Sequence, residues 1–366
     1  MLLSKDRILN YYNQNERKIN IWFFVGGILF DIITLSDIDS LSSIFQQLFY
    51  ITSVGLLLYF DFLEHQNVFS IKSERMNKLW QYRDVAIHFL MGGILNMYSL
   101  FFLKSASFMA SFVFLGFMLG MIVANELKIV QENKINLKIA LYFICIFSFF
   151  ALIYPLVLGF VGWIPFSLAF ISTSFFIYLV YKLLVRKISN PKVLSRALLL
   201  PSLTIINLFL LFYVMGWIPP VPISVKEIGI YHNIEKTGDE DYILYSENPW
   251  WKFWFNGDQE FLAEPGDAVY VFARIFSPAR FNDSVTLHWQ LYNEKRGWLT
   301  TDKIRMQISG GRKEGYRGYS FKQKYQEGLW RVLVETNDGH EIGRQNFWIT
   351  QSINPSEERF FNRDIR

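Results

Sequence analysis

Between residues 21 and 218 long uncharged apolar runs alternate with short basic segments, and from residue 224 onward charged residues recur every few positions. A helix needs about 20 mostly apolar residues to cross the roughly 30 Å hydrocarbon core of a bilayer. Seven windows meet that need: 21–38, 41–60, 85–103, 106–124, 139–161, 164–184 and 197–218. The pattern therefore predicts a transmembrane bundle of about seven helices, with Asp31 interrupting the first.

Past Pro219, Pro220 and Pro222, a stiff exit from the membrane, the period changes to that of strands. Strands are predicted near 227–231, 242–245, 251–255, 268–276, 285–292, 303–308, 316–323, 329–335 and 343–350, with turn signals at Asn256-Gly257-Asp258, Pro265-Gly266-Asp267 and Asn337-Asp338-Gly339. That spacing suits an antiparallel all-β sandwich, with immunoglobulin-like topology the expected form. Alternation sets Val285, Leu287, Trp289 and Leu291 on one face, opposite Thr286, His288, Gln290 and Tyr292. Likewise Val269, Val271, Ala273 and Ile275 are expected to face in, leaving Tyr270, Phe272, Arg274 and Phe276 outside. The expected organisation is an N-terminal segment (1–20), a seven-helix domain (21–218), a Pro-rich exit (219–226), a β-sandwich (227–352) and a polar tail (353–366).

Composition agrees with two solvents: 52% of the residues are hydrophobic, 18% aromatic and only 19% charged. Residues 1–218 hold 17 of the 36 Lys and Arg and 11 of the 32 acids, so the remainder is close to neutral and no nucleic-acid partner is expected. The connections that would lie on one side of the membrane carry 16 Lys and Arg, against Lys104 alone on the other. By the positive-inside rule the N-terminus is expected inside and the sandwich outside, in the periplasm or beyond a bacterial cytoplasmic membrane. No cleaved signal peptide is expected, because the first apolar run starts only near Ile21. Gly162-Trp163-Ile164-Pro165 and Gly216-Trp217-Ile218-Pro219 read as interfacial Trp anchors followed by helix-stopping prolines rather than as an internal repeat. Cys145, the one cysteine, sits in an apolar run and reads as packing.

Two groups of residues are candidates for chemistry. Asp31, Asn96 and Asn207 each lie about ten residues into spans of the same direction, which gives them a shared depth, and Lys104 could approach Asp31 as a cation. Such a cluster would serve a transporter or channel; the plainer reading is that the asparagines join helices and Asp31 is buried or paired. On the sandwich, Tyr270, Phe272, His288 and Tyr292 would form an outward aromatic patch if their strands were sheet neighbours. Arg312, Arg317, Tyr319 and Lys322 add cations and aromatics on a loop and the strand it enters. Asp37-x-Asp39 and Trp250-Trp251 make a membrane-embedded transferase a minor alternative, but the first outer turn is too short for one. No catalytic constellation, metal-site spacing or cofactor motif is found.

The stretch from Gly297-Trp298 through Ile308, Gly311-Arg312, Gly315-Tyr316-Arg317, Tyr319-Ser320 and Lys322 to Gly328-Leu329-Trp330-Arg331-Val332, Asp338-Gly339 and Phe347 resembles a bacterial C-terminal domain of unknown function, number twenty-nine-fourteen. Phe30-Asp31 with Thr34-Leu35 and Ile38-Asp39, Leu103-Lys104-Ser105-Ala106-Ser107, and Asn125-Glu126 resemble the multi-span part of the same uncharacterised membrane proteins. Asp37 departs from the basic residue that precedes the Ile-Asp pair there. The resemblance implies a multi-span protein ending in this domain and brings no activity with it. The expected function is an integral membrane protein whose sandwich binds an envelope protein, glycan or lipid headgroup, with transport as the alternative.

Overall fold

The structure is a computed structural model that describes residues 38–126, 135–188, 190–237, 241–249, 251–252, 254–310, 315–352 and 360–366. Among them are seven helices: α1 Leu41–His65, α2 Glu74–Trp80, α3 Arg83–Lys104, α4 Phe108–Glu126, α5 Ile135–Leu158, α6 Trp163–Val185 and α7 Pro191–Val214. Six are long and apolar enough to cross a membrane, and they coincide with the second to seventh predicted windows. The first window, 21–38, lies outside the described residues.

Within a bilayer each backbone N–H and C=O must be satisfied inside its own helix, so the uncharged runs fold as helices and polar residues gather at their ends. Ser40 caps α1 by accepting from the Ser43 amide at 3.3 Å, and Asn190 caps α7 by accepting from Lys192 ahead of Pro191. Pro201 removes one amide from α7, and a π-turn over Ser195–Leu199 precedes it. Aromatic rings fill the centre: Phe114 touches Phe102 at 4.8 Å and Phe209 and Phe212 at 5.8 Å, and Phe147 meets Phe209 at 4.3 Å between ring centres. At the end away from the β-domain, charges tie the helices together. Arg83 binds Asp61 at 2.7 Å and Glu64 at 3.4 Å, and Lys138 binds Asp84 at 2.8 Å.

The β-rich domain begins at β1 (Ser224–Tyr231). It continues through β2 (Asn233–Thr237), β3 (Asp241–Ser246), β4 (Glu260–Ala263), β5 (Val269–Phe276), β6 (Asn282–Asn293), β7 (Gly297–Ser309), β8 (Tyr316–Lys322), β9 (Gly328–Thr336), β10 (Glu341–Gln351) and β11 (Asn362–Ile365). A three-stranded sheet β1-β5-β8 faces a five-stranded sheet β4-β10-β9-β6-β7, and a third sheet, β11-β3-β2, packs on Phe272 of β5. All pairings are antiparallel except β4 with β10. The β6–β7 hairpin turns at Asn293, whose side chain accepts from the Lys295 and Arg296 amides, and at Gly297, with φ +70°.

The inward half of the alternation read from the sequence holds, whereas Phe272, His288 and Gln290, expected to face outward, are buried. Val285, Leu287 and Trp289 of β6 and Val269, Val271, Ala273 and Ile275 of β5 are buried between the two sheets, with Trp330 and Phe347. Both buried indoles are satisfied: Trp289 donates to Ser320 at 3.2 Å and Trp330 to the Gln326 carbonyl at 2.8 Å. The expected strand at 251–255 is a turn in its described residues. Strands β2, β4 and β11 were not anticipated, and β11 occupies part of the expected polar tail. β11 pairs with β3, and Arg366 binds the buried Glu227 at 2.9 Å.

Trp289→Ala is expected to destabilise the sandwich by about 3–5 kcal/mol, since it opens a cavity between the sheets. The measurement is the temperature at which the full chain in detergent loses trypsin resistance within residues 224–352. An unchanged temperature would mean that the sheets do not pack around this indole.

Candidate functional site

Two turns and one helix end of the bundle meet three segments of the sandwich. Loop 159–162 between α5 and α6 is joined to the start of β6: the Asn282 amide donates to the Gly159 carbonyl at 2.9 Å and the Val161 amide to Asp283 at 3.1 Å. Gly159 has φ +79°, and a Cβ there would run into the Arg280 carbonyl, so glycine permits this approach. Ser107, between α3 and α4, donates to Glu341. Tyr213, near the end of α7, donates from Oη to Asp338 Oδ2 at 2.7 Å, and its ring stacks on Phe166 at 3.8 Å.

Asp338 and His340 are the centre of this junction. Thr336 Oγ1 donates to Asp338 Oδ1 at 2.6 Å, His340 Nδ1 lies 3.1 Å from Asp338 Oδ2, and His340 Nε2 lies 3.1 Å from the Tyr213 carbonyl oxygen. A carboxylate and a carbonyl both accept, so both imidazole nitrogens donate, and the geometry calls for the imidazolium. Burial opposes the charge on Asp338, yet hydrogen bonds from His340, Thr336 and Tyr213 hold its carboxyl well below the usual range. Burial also opposes the charge on His340, and the Asp338 carboxylate with the Tyr213 carbonyl more than offsets it, raising the imidazole above its ordinary value.

Of the residues proposed for the intramembrane cluster, the described ones, Asn96, Lys104 and Asn207, take separate places in the bundle. Asp31 lies outside the described residues. Asn96 is buried in α3, whereas Asn207 faces outward from the described bundle and donates to the Leu203 carbonyl in its own helix. Lys104 sits exposed at the domain end, beside Phe101, Val221 and Phe276. Polar side chains do meet elsewhere: Asp61 with Arg83, and Asn125 with His88 at 3.3 Å. The predicted window stopped at Phe60, one residue short of Asp61.

The sandwich residues are likewise divided. β5 and β6 belong to different sheets, so Tyr270 and Phe272 do not share a surface with His288 and Tyr292. Phe272 is fully buried beneath the third sheet, against Tyr242 at 5.6 Å, and Tyr270 is half-buried beside Phe321. Tyr319 remains 40% exposed. Arg317 lies 3.6 Å from Asp241, Lys322 binds Asp302, and Arg312 lies outside the described residues.

His288 and Tyr292 instead belong to the open face of the five-stranded sheet, among residues that sequence reasoning missed. Register aligns Thr300, Gln290, Arg331 and Asn346 in one row across β7, β6, β9 and β10, while Tyr292 pairs with Trp298 and Leu329 with Trp348. Arg331 Nε donates to Gln290 Oε1 at 2.5 Å, and its guanidinium lies 4.1 Å from the Trp298 ring centre. His288 Nδ1 donates to Glu335 at 3.0 Å, while Nε2 accepts from the Gln290 amide at 3.1 Å and the Thr300 hydroxyl at 2.7 Å. Tyr292 and Trp348 are 44% and 51% exposed. The signal in the sequence was the alternation of Leu329, Arg331, Leu333 and Glu335 along one face of β9.

Fold and site together define a membrane-type helical bundle that carries a β-sandwich domain at one end. Residues 282–349 match the family described as "Protein of unknown function (DUF2914)", which establishes for the C-terminal domain the resemblance read from Gly297 to Phe347. No curated protein matches. Among solved structures, an immunoglobulin-like protein from Pseudomonas aeruginosa is similar at 12% identity and TM-score 0.22, over 36% of this chain and 98% of its own. A β-glucosidase from Listeria innocua is similar at 12% identity and TM-score 0.19, over 32% of this chain and 17% of its own. The alkylpurine DNA glycosylase AlkC of Pseudomonas fluorescens is similar at 7% identity and TM-score 0.21, over 86% and 99%. Scores of this size carry no argument about function.

His340, with its raised folded value, stabilises the junction fully below its unfolded pKa of about 6.5 and loses that contribution as pH rises through the folded value; Asp338, depressed, contributes above about 3.9 and loses it as pH falls through its folded value. Amide hydrogen exchange of residues 336–341, corrected for the intrinsic pH dependence, should therefore show stronger protection at pH 6 than at pH 9. His340→Gln should abolish the difference. Equal protection at both pH values in the wild-type chain would contradict the charged pair.

Proposed function

We propose that this chain is a multi-pass protein of a bacterial cytoplasmic membrane that presents an immunoglobulin-like sandwich outside the cell membrane to bind an envelope component, with a glycan the class best suited to its open face. The observation that carries the reading is the row across the five-stranded sheet. Thr300, Arg331 and Asn346 offer polar groups beside the aromatic surfaces of Trp298, Tyr292 and Trp348, with the buried Gln290 bracing Arg331 from below. Aromatic faces and planar hydrogen-bonding groups side by side suit the apolar faces and equatorial hydroxyls of sugar rings, and internal hydrogen bonds hold this row in place before any ligand arrives. The junction through Asp338 supports the same reading, because it holds the surface in a fixed attitude to the bundle.

Charge supports the orientation. Lys78, Arg83, Lys182, Lys187 and Arg196 lie toward the bundle end away from the sandwich, and Lys104 lies beside it. With a tag after Arg366, the domain should be cleaved by protease added outside spheroplasts; protection there would overturn the orientation. The proposed role is binding rather than catalysis, and no metal or cofactor is invoked. It is tested with the full chain in nanodiscs against a panel of purified envelope glycans. Trp298→Ala and Arg331→Ala should each weaken the best binder by about 2 kcal/mol or more, as central aromatic and arginine contacts do. Absence of any glycan binding, or binding indifferent to both changes, would refute the glycan assignment.

A further inference from the structure

A cavity of about 260 Å³ lies between α1 and α6, with α5 as its floor. Its interior is apolar: Ile51, Leu58 and Phe62 come from α1, Phe143 from α5, and Phe176 and Val180 from α6. Gly55 shapes one wall, because the absent side chain lets the Tyr142 hydroxyl lie directly against α1, and a Cβ there would collide with it. Leu56 and Leu183 also line the cavity, yet they are 55% and 54% exposed on the perimeter of the bundle. The cavity therefore opens sideways, toward the hydrocarbon of the bilayer.

Its far end differs chemically from its interior. Tyr59 lines the cavity, and the Lys187 ammonium lies 5.5 Å from the centre of that ring. Lys182 lies 5.8 Å from the Tyr178 ring on the same helix end. Among the described residues no acidic side chain lines the cavity. A crevice walled by Leu, Ile and Phe has no partners to offer water and accepts hydrocarbon. Lysines at the membrane boundary extend their ammonium groups to the interface, where they attract anionic headgroups. An apolar slot with a cation at its interfacial end is complementary to an amphiphile whose chain is apolar and whose head is negative.

We infer that α1, α5 and α6 form a binding site for an anionic glycerophospholipid of the surrounding bilayer, with one acyl chain in the cavity and the phosphate headgroup held by Lys187. The site is separate from the sandwich, and it stands or falls independently of the glycan assignment. It lies in the leaflet away from the sandwich.

The full chain, purified in a neutral detergent, is loaded with phosphatidylglycerol or with phosphatidylcholine of the same acyl chains, and lipid retention is read by native mass spectrometry. The wild-type chain should retain phosphatidylglycerol preferentially. Lys187→Glu should lower that preference about fivefold or more, the size expected for loss of one interfacial cation. Leu56→Trp, which fills the mouth from an exposed position and leaves the packed core untouched, should reduce retention of both lipids. Equal retention of the two lipids by the wild-type chain, or retention indifferent to both substitutions, would overturn the site. p-Benzoylphenylalanine at Val180 gives the independent reading: on irradiation in vesicles of the two lipids it should form a lipid adduct. Crosslinking to residues 1–37 or to a second copy of the chain would show that protein, not lipid, fills the crevice.

Discussion

Asp338 accepts hydrogen bonds from a helix of the bundle, from its own turn and from a histidine two residues on, and it does so where an apolar helical domain meets a polar sandwich. A carboxylate withdrawn from water at such a boundary is costly unless each lone pair is met. Here Tyr213, Thr336 and the His340 imidazolium meet them, and His340 in turn donates to the Tyr213 backbone. Removing any partner leaves a buried charge exposed to a poor solvent. That requirement fixes the β9–β10 turn on the end of α7. With loop 159–162 bound to Asn282 and Asp283, it fixes the position of the five-stranded sheet and of the open face that sheet carries.

The two halves solve the same problem in different solvents. In the bundle, aromatic packing around Phe114, Phe147 and Phe209 fills the centre, and ion pairs are kept to the far end, where Arg83 and Lys138 reach Asp61 and Asp84. In the sandwich, apolar alternation builds the core while polar groups are free to organise on the open face. The helix packing leaves a lateral crevice beside Tyr59 and Lys187 where protein side chains do not fill the space. Lipid and outer ligand would thus be recognised at opposite ends of one molecule.

Much of the architecture was legible in the sequence because the solvent imposes strong periodicities. Uncharged runs of membrane length mark α1 and α3 to α7, and the alternation from Val285 to Leu291 identified the buried face of β6. What was not legible depended on which strands become neighbours. Alternation says that Phe272 points away from the first core, but only the placement of β3, with Tyr242 and Leu244, makes that second side a core as well. Separating β5 from β6 into different sheets broke the expected patch and left His288 among Gln290, Thr300 and Glu335 instead. Helical depth alone aligned Asn96 with Asn207, whereas the rotation of each helix decides which residues meet, and Asn207 faces away. Asp338 read as an ordinary turn residue because its partner Tyr213 lies 125 positions earlier.

On this geometry the Asp338 junction holds the sandwich in one fixed attitude on the bundle. Spin labels at Leu119 on α4 and Lys303 on β7 test it, both sites being exposed and the native Cys145 being fully buried. Pulsed dipolar measurement of the full chain in nanodiscs should give a single narrow distance distribution, which Asp338→Ala broadens while the sandwich itself stays folded. A broad distribution in the wild-type chain, or one that Asp338→Ala leaves unchanged, would contradict the account.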